Sequence, residues 1–168
     1  APDVCTSVLI NHYLRGAYQE WAVVGTFGDN LKHTAAGLIK NLHFSAEKAE
    51  LLENLGIYIN YNGYGASLEE LHFAPDELYR LFSEYRSPFD FVSDNSESFQ
   101  KLEQGYHQDI EAAQSTVTLV ETDRIAALVL PNEPWARRVS GVYSNQLAND
   151  NPDRGHAVLT VKPNGNYL

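Results

Sequence analysis

A single acidic side chain, Asp29, stands where an apolar segment ends and a helical pattern begins. The apolar run over residues 21–24 leads into Gly25-Thr26-Phe27-Gly28-Asp29-Asn30, and helical spacing resumes at Leu31. A carboxylate held rigidly at the end of an element can ligate a hard divalent cation such as Mn²⁺ or Mg²⁺. Asp and Asn are also the residues that most often cap the next helix, by accepting hydrogen bonds from its backbone amides. The pattern leaves both alternatives open, with capping as the default.

Other side chains with metal-binding or nucleophilic potential are scattered along the chain. No two histidines are spaced i, i+4, so a zincin-type metal site is not predicted. The single cysteine, Cys5, has no basic neighbour in sequence and is interpreted as a buried structural thiol. No glycine-rich phosphate loop and no Gly-x-Ser-x-Gly nucleophile motif is present. The histidines, each interpreted as a surface or boundary residue, are His12, His33, His43, His72, His107 and His156.

One pair of adjacent basic residues, Arg137 and Arg138, is a candidate for anion binding. Successive residues of a helix point about 100° apart, so both guanidinium groups cannot face one phosphate squarely. One arginine could bind an anion while the other is solvated or paired with an acid. The net charge of −10 argues against a broad nucleic-acid-binding surface but allows a small phosphate substrate held by a metal and one or two arginines.

Length and composition are those of a globular protein. The chain has 168 residues, of which 43% are hydrophobic, and one cysteine, which excludes an internal disulfide framework. No apolar run approaches the roughly 20 residues that span a membrane, and we expect a cytoplasmic protein. The sequence contains no methionine, and the last predicted hairpin arm is only three residues long. We therefore expect a piece of a longer protein that continues past Leu168.

The elements that would position these side chains are mainly helical over residues 1–114. Apolar residues at three- and four-residue spacing predict a series of helices, whereas residues 21–26 are buried in either helix or strand. Ser67 and Glu70 have the spacing of a capping box, and residues 87–95 are predicted as a loop. The helices are predicted over residues 3–15, about 30–43, 45–60, a short segment after Ser67, 75 to before Pro88, and 96–114.

Beyond residue 115 the pattern changes to a small β-β-α-β-β unit. Two β-rich segments are joined by a turn at Thr122-Asp123, and Asn132 and Pro134 start a helix. Pro163-Asn164-Gly165 is a hairpin signal that follows a last strand. The strands are predicted over residues 116–121, 124–130 and 157–162, with the short returning arm at 166–168. The fold class predicted is therefore α/β overall, with a helical N-terminal part and connector before the small unit.

Two segments resemble the DHH phosphoesterase superfamily. Residues 21–29, WAVVGTFGD, resemble its fourth motif, in which an apolar strand runs into a Gly-Thr-x-x-Asp segment whose aspartate binds catalytic metal. Residues 135–142, WARRVSGV, continuing to Asn145 and Leu147, look like the first helix of the associated DHHA1 domain. The resemblance implies an interior fragment: the end of a DHH-like catalytic domain at 1–45, a helical connector at 46–114, and the start of a DHHA1-like substrate-binding domain at 115–168.

The resemblance also implies a chemistry. Members use two metal ions, usually Mn²⁺, which polarise a phosphoester or phosphoanhydride and supply a bound hydroxide as nucleophile. The substrates implied are oligonucleotides, single-stranded nucleic-acid ends, nucleotides or polyphosphate, with no membrane partner and with a homodimer left open. Asp29 would be a metal ligand, whereas the resemblance supplies no catalytic or substrate-binding residue in this chain.

The chain departs from the family pattern at several motifs. The first three motifs, including Asp-His-His, are absent and would precede Ala1, and the glycine-rich motif of DHHA1 is absent too. We therefore expect this chain alone to be inactive and to bind no metal tightly. A non-catalytic helical interaction or regulatory module is the alternative hypothesis, suggested by the long, sparsely apolar helix at 96–114.

Overall fold

The computed structural model of the chain describes residues 3–162 and 165–166. Within those residues the protein is α/β and mostly helical, and the predicted order of a helical part followed by a small β unit is confirmed. The α-helices are α1 Thr6–Tyr13, α2 Gln19–Gly28, α3 Lys32–Leu42, α4 Ala46–Tyr61, α5 Pro75–Ser83, α6 Pro88–Asp94, α7 Ser96–Gln114 and α8 Pro134–Asp150. The strands are β1 Thr118–Glu121, β2 Ile125–Leu130 and β3 Gly155–Thr160.

The chain divides into two compact units. The first contains Ala1–Asn60 and Pro75–Glu103, and the second contains Tyr61–Ala74 and Gln104–Leu168. The predicted domains, with boundaries after residues 45 and 114, are not tested by this division and remain a prediction. Among the described residues, no helix combines the length and the apolar character needed to cross a lipid bilayer.

The first unit is built from helices around an aromatic and aliphatic core. Helix α2 supplies the centre, because its residues from Ala22 to Phe27 are buried apart from Gly25. Phe91 on α6 is fully buried and packs edge-on against Phe82 and Tyr85. The buried members of this core are Val23, Val24, Phe27, Ala35, Leu52, Leu55 and Phe91.

The second unit packs helices against a three-stranded mixed sheet. Strand β1 pairs antiparallel with β2, and β2 pairs parallel with β3, so that α8 is the connection of a β–α–β unit. Alternate residues of β2, namely Ala126, Leu128 and Leu130, are buried, as a period of two requires for a strand with one covered face. The core contains Tyr61, Ile110, Ala113, Leu128, Leu130, Ala136, Val139, Val142 and Tyr143.

Some local predictions are wrong. Residues 87–95 are not a loop, because Ser87 caps α6 by accepting a hydrogen bond from the Phe89 amide and Pro88 occupies its first turn. Ser67 forms no capping box: the segment Leu68–Glu70 is a 3₁₀ turn with no side-chain cap. Its partner Glu70 is instead bound to Arg137, an ion pair that sequence spacing does not reveal.

The end of the chain agrees with a hairpin as far as it is described. Strand β3 ends at Thr160, and beyond it the Lys162 amide donates to the Asn166 carbonyl at 2.7 Å. Gly165 has a φ of 80°, in the left-handed region that glycine adopts without strain. The predicted Pro163-Asn164 turn residues and the last two residues of the returning arm lie outside the described residues.

Candidate functional site

The segment that carries Asp29 is the end of a buried helix. Residues 19–28 form α2, so the strand implied by the family resemblance is wrong. Two glycines of α2 allow this helix to pack closely against its neighbours. A Cβ on Gly25 would lie 2.6 Å from Ser7 Oγ, and one on Gly28 would lie 3.0 Å from the Gly56 carbonyl oxygen. Helix α2 therefore approaches α1 and α4 closely, at positions where a side chain would force them apart.

Asp29 is the C-cap of α2 and not the N-cap of α3. The Leu31 amide donates to the Thr26 carbonyl and the Asn30 amide to the Phe27 carbonyl, each within 3.0 Å, which is the hydrogen-bond pattern of a Schellman motif. Asn30 has the left-handed φ of 57° that this motif requires. Helix α3 begins at Lys32 after Leu31, with no side-chain cap. The capping prediction for Asp29 or Asn30 is therefore wrong.

The carboxylate of Asp29 is exposed. Within residues 3–162 and 165–166, it makes no hydrogen bond or ion pair. Its main chain, in contrast, is fixed, because its amide donates to the Gly25 carbonyl at 3.0 Å. The same described residues contain no group of three or more His, Cys, Asp or Glu side chains that could hold a metal ion. Asp29 could therefore supply one hard-oxygen ligand, but among the described residues it belongs to no group of three or more potential ligands.

The second unit contains a buried polar cluster that sequence analysis did not find. We call Tyr61, His72, Asp109 and Arg138 the Arg138 cluster. Arg138 Nε lies 2.9 Å from Asp109 Oδ2 and its Nη2 lies 3.2 Å from Oδ1, a bidentate pair. The Tyr61 hydroxyl donates to Asp109 Oδ2, accepts from Arg138 Nε at 3.1 Å and lies 2.8 Å from His72 Nε2.

A helix glycine and a short loop position this cluster. A Cβ on Gly105 would lie 2.3 Å from His72 Nε2, so the imidazole packs directly on α7. The buried Asn62 closes the loop, because its Oδ1 accepts from the His72 and Phe73 amides and its Nδ2 donates to the Phe73 carbonyl. Sequence spacing does not reveal the cluster, because the partners of Arg138 are 29 and 77 positions away along the chain.

The chemistry of the Arg138 cluster is that of a structural network. Burial and the hydrogen bond to Asp109 raise the pKa of the Tyr61 hydroxyl, so Tyr61 remains protonated and is a poor base at neutral pH. Asp109 is paired on both oxygens, which is how a buried carboxylate is accommodated. The cluster therefore holds α4, α7 and α8 residues of the second unit together.

Neither arginine of the adjacent pair is available for an anion. Arg137 donates from Nε to Glu70 Oε2 at 2.9 Å and from Nη1 to Asn132 Oδ1 at 2.6 Å. The hydrogen bond to Arg137 lowers the pKa of the Glu70 carboxyl to about 2. One arginine was expected to bind an anion while the other is solvated or paired with an acid; instead both are paired with acids of the same unit, Arg137 with Glu70 and Arg138 with Asp109.

Comparisons with models of protein families, with curated proteins and with solved structures find no match to this chain.

Proposed function

We propose that this chain is part of a cytoplasmic, metal-dependent hydrolase that cleaves phosphoester or phosphoanhydride bonds. The substrate would be a nucleotide, an oligonucleotide or single-stranded nucleic-acid end, or a polyphosphate. Two Mn²⁺ or Mg²⁺ ions would be the cofactors, and Asp29 would ligate one of them. The observation that carries the proposal is an exposed carboxylate, without a hydrogen bond or ion pair among the described residues, on a backbone fixed by a Schellman motif.

The position of Asp29 is unfavourable for the fold and favourable for a cation. The C-terminal end of a helix carries a partial negative charge, so an acid there costs stability, whereas a cation is attracted. Asp29 occupies this end of α2. A divalent ion would be attracted by both the carboxylate and the helix end, and the fixed main chain would hold the ligand in one place.

The metal ions and this chain would have different roles in the reaction. When bound, the metal ions would supply Lewis-acid activation of the phosphoryl group. The contribution of this chain is to hold Asp29 at the end of α2, through the close packing of Gly28 against Gly56. The other metal ligands would come from family motifs that this sequence does not contain.

The test is Mn²⁺-dependent hydrolysis by the complete natural protein that contains this chain. We expect Asp29→Asn to reduce kcat by at least about 100-fold, because even residues that only orient metal ligands cost 10–100-fold. Asp94→Asn is the matched control, since Asp94 is an exposed acid at the C-terminal end of α6 in the same unit. Unchanged turnover in the Asp29 variant would remove Asp29 from the mechanism.

The alternative hypothesis, a non-catalytic interaction or regulatory module, makes the opposite prediction in the same assay. It predicts neither hydrolysis of phosphoesters nor specific Mn²⁺ binding by the complete protein. The two hypotheses are therefore separated by one metal titration with an activity readout.

A further inference from the structure

A cavity of about 410 Å³ lies at the carboxyl ends of the parallel strands β2 and β3 in the second unit. Its lining includes Asn132, Arg137, Thr160 and Lys162. Asn132 follows β2 by two residues, Thr160 is the last residue of β3, and Lys162 follows it. The cavity also adjoins the first turns of α8 through Arg137.

Ligand sites in open α/β sheets are often found at the carboxyl ends of the parallel strands. The crevice outside the carboxyl ends of parallel strands is lined by the loops and helix starts that follow them. The volume is within the range of small-molecule sites. The start of α8 itself offers few donors, because its first residue, Pro134, has no amide hydrogen and the Ala136 and Arg137 amides bond to the Glu133 carbonyl. Side chains must therefore provide the recognition.

Two polar lining side chains are available to a ligand, whereas Glu70, Asn132 and Arg137 are bound to one another. Arg137 is neutralised by Glu70 and also binds Asn132. Thr160 is only 5% exposed, yet among the residues described its hydroxyl has no hydrogen-bond partner. Lys162 is exposed and, within the same described ranges, makes no ion pair. Because Thr160 lines the cavity and its hydroxyl has no partner among the described residues, that hydroxyl can donate a hydrogen bond to a ligand oxygen.

We propose that this cavity binds a phosphate group, with the Lys162 ammonium as the balancing charge and the Thr160 hydroxyl as a hydrogen-bond donor. The Arg137–Glu70 pair cancels in charge, so Lys162 gives the lining a net positive charge of one that suits an anion. The assignment of that phosphate to a phosphoester substrate rests on the proposed function. A free phosphate ion would present the same oxygens.

The binding test uses the chain itself with no divalent metal present. Amide chemical shifts of ¹⁵N-labelled protein are followed during titration with inorganic phosphate and, separately, with AMP in the presence of EDTA. We expect saturable shifts at Thr160, Val161 and Lys162. A tighter constant for AMP identifies an ester as the source of the phosphate, and equal constants identify the free ion.

Matched variants decide which side chains bind. We expect Lys162→Gln to weaken binding about tenfold and Thr160→Val, which keeps the side-chain shape, to weaken it about fivefold. Lys40→Gln and Thr118→Val are the controls, because both residues are exposed and neither lines this cavity. Far-ultraviolet circular dichroism checks that Thr160→Val remains folded, and the exposed Lys162 provides a second variant that is independent of the core.

The proposal is overturned if neither ligand shifts these amides, or if both variants bind as tightly as the unmodified chain. Its failure is distinct from failure of the proposed hydrolase, because Asp29→Asn should leave phosphate binding unchanged. Conversely, loss of phosphate binding in Lys162→Gln carries no information on Mn²⁺ binding by Asp29.

Discussion

The two units hold their most informative acids in opposite ways. Asp109 in the second unit is 6% exposed and accepts hydrogen bonds from Arg138 and Tyr61. Asp29 in the first unit is exposed at the negative end of α2, and its carboxylate has no hydrogen bond or ion pair within the described part of the chain. Asp109 thus stabilises the fold, whereas no contact within the described fold explains why an acid occupies position 29.

The difference teaches where function should be sought in this chain. Breaking a buried ion pair by removing one partner is costly. The structural role of Asp109 is therefore enough to explain why an acid is buried there. An acid that opposes a helix dipole gains nothing from its surroundings and is available to a ligand. Removing each acid should consequently give opposite results for the free energy of unfolding.

The largest effect is expected for Asp109→Ala. It leaves the Arg138 guanidinium buried without a countercharge, which costs about 3–5 kcal/mol of unfolding free energy. Urea unfolding followed by Trp135 fluorescence in a Trp21→Phe background reports on the second unit, since Trp135 packs against its core. Asp76→Ala, followed by Trp21 fluorescence in a Trp135→Phe background because Asp76 belongs to the first unit, is the control: its pair with Arg80 is exposed and should cost less than about 0.5 kcal/mol. A loss below about 1 kcal/mol for Asp109→Ala would contradict the structural role of the Arg138 cluster.

The next effect is expected at the glycine that supports the Asp29 segment. A Cβ on Gly56 would lie 2.3 Å from the Val24 carbonyl oxygen, so Gly56→Ala must displace α4 from α2, at a cost of about 1–3 kcal/mol. Gly37 in α3 has no atom within 4 Å of a Cβ, and Gly37→Ala should instead stabilise by about 0.5–1 kcal/mol. Trp21 fluorescence in a Trp135→Phe background measures both. Equal effects of the two substitutions would show that the helices are not in close contact.

A smaller, pH-dependent effect is expected for Glu70. Its folded-state pKa of about 2 lies below the ordinary value of 4.5 because Arg137 binds the carboxylate. Its stabilising contribution is therefore complete above pH 4.5 and is lost as the pH falls toward 2. Glu70→Gln should cost about 1 kcal/mol at neutral pH. The difference from the unmodified chain should disappear between pH 4.5 and 2, as followed by urea midpoints, whereas a constant difference would contradict the ion pair.

The smallest effect on stability is expected for Asp29→Asn. Removing an acid from the C-terminal end of α2 should leave the free energy of unfolding unchanged or raise it by up to about 0.5 kcal/mol. Thermal unfolding of the two proteins side by side measures this difference. A clear loss of stability would mean that Asp29 has a structural partner, and it would contradict the claim that Asp29, unlike Asp109, does not stabilise the fold.

The sequence contains enough information for the elements with strong periodicity. Helix α7 is predicted with the bounds that the structure has, because Phe99, Leu102, Tyr106 and Ile110 form one stripe at helical spacing. Helix α6 is too short for its periodicity to predict it, since it has only seven residues, although Ser87-Pro88 is a helix-start signal. Residues 21–26 were ambiguous because a short, fully apolar segment has no period that distinguishes helix from strand.

The sites were less predictable for a physical reason. The partners of Arg138 are 77 and 29 residues away along the chain, so only the fold brings Tyr61 and Asp109 to it. The end of α2 was misjudged because Asp and Asn favour helix starts, whereas Asn30 in a left-handed conformation ends this helix. Residue type alone does not decide between these two uses of the same side chains.

The most direct test of the account is the stoichiometry of Mn²⁺ bound to the complete natural protein, measured by electron paramagnetic resonance. The account predicts that Asp29→Asn lowers the number of tightly bound ions per chain, while Asp94→Asn binds as many as the unmodified protein and all three proteins unfold at similar temperatures. Full Mn²⁺ occupancy in the Asp29→Asn protein would contradict it.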